Sequence, residues 1–334
     1  MKAAIRKGIL GYTFSFANNY AKPAYRSNKG NTNDVLIQIK SAGINPVDYK
    51  LPRALLGPVI GFDFCGTITD IGDQVEVDQN FKVGDLVFGN SLKGSVAEYS
   101  IAKANTIAKV PTTSNWKPSE CAALPVAYQS ALQCLRRGGI IDTEGTRLQS
   151  DKSVLVIGAS GGCGIAGLQL CRAVGVSRIV AICSKKNEQL VKDMGATEVV
   201  NYTDLDELES FFRDNAAKLD VVYDAATSSG AGEDYWDRSI PLLKTENGDS
   251  GHYASLNGSR SKWIRKLTGR EKDGQSLILM KANTKDLELI VSLLDRTGAR
   301  PLVKIMPFNG DGLKQAFDEL KGRRTTGKIV FDIS

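Results

Sequence analysis

The residues with the clearest chemistry lie in one run. Val154-Leu155-Val156-Ile157 is apolar and leads directly into Gly158-Ala159-Ser160-Gly161-Gly162-Cys163-Gly164-Ile165-Ala166-Gly167, in which Gly162-x-Gly164-x-x-Gly167 fits G-x-G-x-x-G. The match alone is weak, but a buried strand before it and an amphipathic helix after it supply the context a dinucleotide-binding turn requires. Glycine removes the Cβ that would block a pyrophosphate, and the helix start offers unpaired N–H groups at the positive end of the dipole. Ser160, Gly161, Gly162, Cys163 and Gly164 are therefore the expected phosphate cradle. About 20 residues past such a turn, folds that use NAD carry an acid for the ribose 2′-hydroxyl. Here the chain reads Cys183-Ser184-Lys185-Lys186-Asn187, with no acid. A carboxylate would repel a 2′-phosphate, whereas a hydroxyl and two ammonium groups bind it through charge-assisted hydrogen bonds. The expectation is NADPH rather than NADH, with Ser184, Lys185, Lys186 and Asn187 at the phosphate. Tyr202, which ends the next expected strand, is either beside the adenosine or simply a strand-end tyrosine.

The elements that must hold these groups are of two kinds. Short strands are expected at 2–7, 34–41, 57–66, 67–71, 85–89 and 95–101, the second alternating as DVLIQIKS. The pattern changes near Ser119 to an Ala-rich helical run at 120–135. Strands at 154–157, 178–183, 198–202, 220–225, 252–256 and 276–280 follow, with helices at 165–174, 188–194 and 205–218 between the earlier ones. Such alternation implies a parallel sheet covered on both faces. A helix at 287–294, a strand at 302–306, a helix at 312–321 and a strand at 328–333 close the chain. With 334 residues, more than one core is expected. The fold expected is α/β: a doubly wound parallel sheet of Rossmann type, 125–299, inserted into a β-rich, partly open barrel domain made of 1–124 and 300–334.

Composition removes several classes. The net charge of +6 is mild and dispersed, which fits a small anionic ligand and speaks against dedicated nucleic-acid binding. No apolar run reaches the roughly 18–20 residues of a bilayer span. No secretory or transit-type segment precedes the first expected strand, so a cytoplasmic protein is expected, or a soluble organellar or peripheral membrane one if the sequence is a processed form. Six cysteines without a C-x-x-C pair and a single histidine, His252, argue against a tetrahedral zinc site; His252 itself reads as a strand or surface histidine. The basic stretch 260–272, RSKWIRKLTGREK, is a solvated helix face, a lid, or a weak contact to an anionic membrane. Tyr25-x-x-x-Lys29 and Tyr99-x-x-x-Lys103 have the spacing of a short-chain reductase motif but precede the glycine turn, which is the wrong order.

Further segments carry a family resemblance. Ile44-Asn45-Pro46-Val47-Asp48-Tyr49-Lys50, Gly61-Phe62-Asp63-Phe64-Cys65-Gly66, Val83-Gly84-Asp85-Leu86-Val87-Phe88-Gly89, Ala122-Ala123-Leu124-Pro125 and Gly327-Lys328-Ile329-Val330 resemble the zinc-free quinone oxidoreductases of the medium-chain dehydrogenase/reductase superfamily. The resemblance covers nearly the whole chain, and its nearest branch is that of plant envelope quinone oxidoreductase homologues and alkenal/one reductases. It implies a GroES-like first domain and a monomer or homodimer. Asn45 stands where zinc-binding relatives have their first catalytic ligand, so no metal is implied. The implied activity is NADPH-dependent reduction of enones, enals or quinones, the alternative being a non-catalytic NADPH-binding or sensor protein. Without a Lewis acid, an already electrophilic acceptor suits the site, and hydrogen-bond donors must meet the charge that develops on its carbonyl oxygen. Asn45, Tyr49 and Lys50 are the candidate donors, with Asp48 orienting them, towards Lys50; the alternatives are a turn fixed by Asn45 before Pro46, a pocket wall at Tyr49, and for Lys50 a contact to the cofactor phosphate or ribose, or a solvated side chain. Ser130 and Lys328 are placed at the cofactor, and Phe62 and Trp263 as apolar walls of the substrate pocket.

Overall fold

The computed structural model describes residues 1–8, 13–25, 33–73, 75, 81–145, 151–226, 235–245, 250–323 and 325–333; Lys29 lies outside them. In chain order the strands are β1 (Ala3–Lys7), β2 (Thr13–Ala17), β3 (Asp34–Gly43), β4 (Asp63–Ile71), β5 (Leu86–Asn90), β6 (Tyr99–Lys103) and β7 (Ile107–Lys109). Then come β8 (Ser153–Ile157), β9 (Arg178–Cys183), β10 (Glu198–Asn201), β11 (Val221–Asp224), β12 (His252–Ser255) and β13 (Gln275–Leu277). The last two are β14 (Val303–Pro307) and β15 (Lys328–Asp332). The chain divides into two units: Met1–Val126 with Ala282–Glu288 and Pro301–Ser334, and Ala127–Lys281 with Leu289–Arg300.

In the first unit, the described strands form a sheet of order β14-β15-β3-β4-β5-β7, with β6 also paired to β3 and a separate β1-β2 ribbon. The β14–β15 pair is parallel and the other pairs are antiparallel. The sheet path has two ends and does not close into a barrel among the described residues. Strand β3 is the hub, with β4 along one edge, and β6 and β15 sharing the other at Asp34–Gln38 and Ser41–Gly43. Register shifts at Leu36/Ile37 and Ile39/Ser41 bend it, as bulges do. This bend delivers the end of β3 to the starts of β4 and β15. Ile37, Phe64, Ile68, Val87 and Phe331 pack in the core. Residues 282–288 join this unit, although the sequence placed them in the inserted domain. Thr284 Oγ1 donates to the carbonyls of Ala104 (3.3 Å) and Ile107 (2.7 Å), which ties the segment to the start of β7.

The second unit is a parallel sheet of order β10-β9-β8-β11-β12-β13 among the described residues. Numbered within the unit, this is the doubly wound order 3-2-1-4-5-6, with its reversal between β8 and β11. All five residues of β8 are buried, as a strand covered on both faces must be. Leu155, Ile157, Val180, Ile182, Phe211, Trp236 and Tyr253 form the core.

Several boundaries differ from the sequence expectation for local reasons. The helix expected at 120–135 is two, Pro118–Cys121 and Pro125–Arg137, because Pro125 has no N–H and starts a new helix. The helix expected at 165 starts at Gly162, since Gly161 is extended (φ −78°, ψ 168°) and serves as its N-cap. The strand expected at 57–66 starts only at Asp63; Gly57 and Gly61 have positive φ, which breaks the strand. Short helices Val47–Lys50 and Arg53–Leu56 had no periodic signal, each being a single turn. Among the described residues, no helix is long and apolar enough to cross a membrane.

Candidate active site

Two groups of side chains and backbone donors emerge, one in each unit. In the second, the chain leaves Ile157 at the end of β8 and reverses at Gly158, whose φ of 75° is in the left-handed region. No side chain caps helix Gly162–Ala173 among the described residues, so amide donors of its first turn are left for an outside acceptor. The glycines have different tasks. A Cβ at Gly164 would stand 2.2 Å from Gly158 O and 2.6 Å from Ala159 Cα, so glycine lets the helix start fold against the turn. A Cβ at Gly167 would lie 2.7 Å from the ring of Tyr223, so glycine lets the helix pack on β11. Tyr223 in turn donates its hydroxyl proton to Cys163 O at 3.1 Å. At Gly161 a Cβ would meet only Gly158 O, at 3.5 Å, which marks the open side of the turn. An uncapped helix start with an open glycine side fits a pyrophosphate. Ser160, Gly161, Gly162 and Cys163 are partly exposed here, while Gly164 is buried. Ser130 is buried within helix Pro125–Arg137.

At the end of β9, Ser184–Asn187 forms a tight turn into helix Glu188–Asp193. Asn187 Nδ2 donates to Ser184 Oγ at 3.3 Å, and Lys185 N donates to Asn201 Oδ1 at 2.9 Å. Tyr202 continues β10 beside this turn, its N donating to Cys183 O at 3.1 Å, with 38% of its surface exposed. Lys185 and Lys186 are both exposed. Ser184–Asn187 carries no acid, but Glu188 follows directly. Its Oε2 lies 2.6 Å from Lys185 Nζ and its Oε1 2.8 Å from Lys192 Nζ. These bonds, Lys185 first and then Lys192, hold the Glu188 carboxyl down to about 2. Lys185 is thus shared with a neighbouring carboxylate, while no such pair is seen for Lys186 among the described residues.

In the first unit, a polar network is built on Asp63, the first residue of β4 and fully buried. Its Oδ1 accepts from Asn90 Nδ2 (3.1 Å) and Val126 N (3.0 Å). Its Oδ2 accepts from Asn45 Nδ2 (2.8 Å) and Lys328 Nζ (2.6 Å). Lys328 Nζ also donates to Asn45 Oδ1. Gly43 makes room for this ammonium: a Cβ there would sit 3.1 Å from Lys328 Cε and 2.7 Å from Ala122 O. The network is what a buried charge requires, with opposite charge and hydrogen bonds together. Lys328, placed at the cofactor from sequence, therefore shares a site with Asn45.

Asp48 is the other buried carboxylate. It accepts from Arg6 Nη2 (3.0 Å) and Gly61 N (2.8 Å) through Oδ1, and from Asn45 N (2.9 Å) through Oδ2. Burial pushes its pKa up to about 6 against the pull of the Asn45 N–H, Arg6 and the Gly61 N–H. The expected orientation of Asp48 towards Lys50 is incorrect. Residues two apart on a helical turn do not face each other, and in Val47–Lys50 Asp48 is buried while Lys50 is exposed. Partial burial of its ammonium, and then the charge of Arg323, lower the Lys50 pKa. Asp48 instead clamps the backbone on which Asn45 sits. Tyr49 is half-buried against the core of this unit, and Phe62 is half-buried. Trp263 is in the second unit, on helix Arg260–Leu267, half-buried against that unit's own core. The same helix exposes Ile264 and Leu267. His252, at the start of β12, is half-buried with Nε2 3.0 Å from Ser276 Oγ.

Arg6, Asp63 (in its charge-pairing role), Asn90 and Glu188 were not singled out from sequence. A signal existed for two of them: Arg6 sits in the apolar strand AAIRK and Asp63 heads the buried run DFCG. Among the described residues, no group of three or more His, Cys, Asp or Glu is arranged to hold a metal ion.

An open β-rich unit joined to a doubly wound nucleotide-binding unit defines the class of two-domain dinucleotide-dependent oxidoreductases. Comparison with known proteins narrows it. Residues 31–112 match the alcohol dehydrogenase GroES-like domain, and residues 194–331 match the family described as zinc-binding dehydrogenase. The chain is 30% identical over 314 residues to 2-methylene-furan-3-one reductase of Solanum lycopersicum, covering 89% of this chain and 71% of that protein. It is 28% identical over 317 residues to the chloroplastic quinone-oxidoreductase homolog of Spinacia oleracea, covering 90% of each. The fold is shared with the quinone oxidoreductase of Escherichia coli solved with NADPH, at 20% identity, a TM-score of 0.74, and coverage of 99% of this chain and 100% of that one. The chain belongs to the quinone-oxidoreductase-like group of the medium-chain dehydrogenase/reductase family.

Proposed function

We propose that this oxidoreductase uses NADPH to reduce α,β-unsaturated ketones and aldehydes or quinones without a metal. The observation that carries the reading is the basic turn Ser184–Asn187 at the end of β9, in the unit whose uncapped glycine turn fits a pyrophosphate. Amide donors at 161–164 and the helix dipole hold the diphosphate. Lys185 and Lys186 neutralise a 2′-phosphate, and Tyr202 lies along the adenosine. When bound, the dinucleotide supplies a hydride. Asn45, Tyr49 and Lys50 are the polar groups for the acceptor's carbonyl oxygen; a donor that bonds an enolate more strongly than a ketone lowers the barrier. Water supplies the remaining proton. The relatives named above, an enone reductase and a quinone oxidoreductase homologue by name, support this acceptor class.

The test is steady-state oxidation of NADPH and NADH by the purified protein with a panel of enals, enones and quinones, with product analysis to separate C=C from C=O reduction. Turnover with conjugated acceptors and a preference for NADPH is expected. Tight NADPH binding with no turnover on any acceptor would replace the reading with a non-catalytic NADPH-binding role.

A further inference from the structure

Asn45, Asp63 and Lys328 come from three places far apart in sequence, and the sheet brings them to one point. Gly43, two residues before Asn45, pairs with Asp63 across β3–β4 and with Val330 across β3–β15. Asp63 is sealed from solvent, while Asn45 and Lys328 keep 4% and 6% of their surface. Asp63 receives four hydrogen bonds, two on each oxygen, so its acceptor capacity is filled. The donors are not filled. Lys328 uses two of its three ammonium protons, and the Asn45 amide uses one of two, on partners among the described residues. The Lys328 bond also fixes which way the Asn45 amide is turned. Its oxygen faces the ammonium, so both N–H bonds belong to the nitrogen beside Asp63.

We propose that Lys328 and Asn45 form a preset donor pair for the carbonyl oxygen of the acceptor, and that Asp63 is the positioning residue that holds the pair. This rests on the reductase reading above. As the β-carbon gains hydride, its π bond to the α-carbon breaks and that electron pair forms the α-carbon–carbonyl-carbon double bond. The carbonyl π pair moves to oxygen. The oxygen then carries the negative charge, next to an ammonium that keeps its proton; water later protonates the α-carbon and the carbonyl re-forms. Because Asp63 already fixes both donors, little reorganisation accompanies the charge shift, which is how a buried donor site gains over water.

Removing either charge alone leaves the other buried and unpaired, and such a variant can fail for folding reasons. The test therefore uses the double variant Asp63→Asn/Lys328→Met, which removes both charges and keeps the side-chain shapes, alongside Lys328→Met. Melting temperature, NADPH affinity of the binary complex, and kcat and KM for enones of graded electrophilicity are read for each. The double variant is expected to melt above Lys328→Met and to bind NADPH like the wild type. Its kcat for weakly activated enones is expected to fall by about 100-fold, the loss typical of one oxyanion donor, and by clearly less for strongly activated ones. A folded double variant with unchanged kcat, or with the same loss for every acceptor, overturns the proposal, as does a collapse of NADPH affinity, which would make Lys328 a cofactor residue. A wild-type protein that turns over no enone sinks the reductase reading and this proposal together; failure in the variants alone sinks only the proposal.

Discussion

Replacing Gly164 by alanine tests the phosphate turn at its tightest point. The new Cβ would stand 2.2 Å from Gly158 O and 2.6 and 2.7 Å from Ala159 Cα and C. All three are backbone atoms, so no side-chain rotation relieves the contact. The helix start and the turn must separate by about 1 Å to reach ordinary van der Waals distance. Overpacking of this kind costs about 1–3 kcal/mol, which for a unit of this size lowers the melting temperature by about 2–12 °C. The same displacement moves the amide donors of the first helical turn, so NADPH affinity falls as well. Gly161 is the internal control. A Cβ there makes a single 3.5 Å contact, and its φ of −78° is open to any residue. Gly161→Ala is expected to melt like the wild type yet to bind NADPH more weakly, because its methyl occupies the open side of the turn. Thermal melts without ligand, paired with fluorescence titration of NADPH, separate the two effects. The reasoning is refuted if Gly164→Ala keeps both wild-type melting and affinity, or if Gly161→Ala is destabilised as much as Gly164→Ala.

Three other outcomes are expected. Lys185→Ala with Lys186→Ala should weaken NADPH far more than NADH, and Glu188→Gln should do the reverse for NADPH by freeing Lys185; equal effects on the two dinucleotides in binding titrations would remove the 2′-phosphate argument. Arg6→Met leaves the Asp48 carboxylate buried without its counter-charge, and urea unfolding should show a loss of about 3–5 kcal/mol, larger than that of the double variant Arg6→Met/Asp48→Asn. His252 is the one histidine, and burial, then Arg137, lower its pKa. Its folded form stays neutral where the unfolded chain takes up a proton, so the stability it contributes is present above about pH 6.5 and is lost as pH falls below that value. A single imidazole resonance titrating below 6.5, and a flatter pH–stability curve in His252→Gln, are the checks; a midpoint above 6.5 would contradict the structure.

Much of the second unit was legible because its signals are local. A continuous apolar strand, a glycine turn and a helix follow one another between Ser153 and Ala173, and the strand-end lysines sit at a fixed offset from them. Glu188 escaped notice because only the geometry of the Ser184–Asn187 turn folds its carboxylate back onto Lys185. In the first unit, Asn45 and the turn at Asp63 were visible as motifs, but their partners were not. Arg6 meets Asp48 across 42 positions and Lys328 meets Asn45 across 283, distances at which no periodicity carries information.

The order of strands and helices, the glycine turn and the basic run that follows β9 were determined by local sequence, since backbone conformation and apolar period act over a few residues. The identity of the charge partners was decided by tertiary structure. Which ammonium sits beside which carboxylate depends on strand pairing and on the bend in β3. Burial then makes the pairing obligatory, because an unpaired charge cannot remain in that interior.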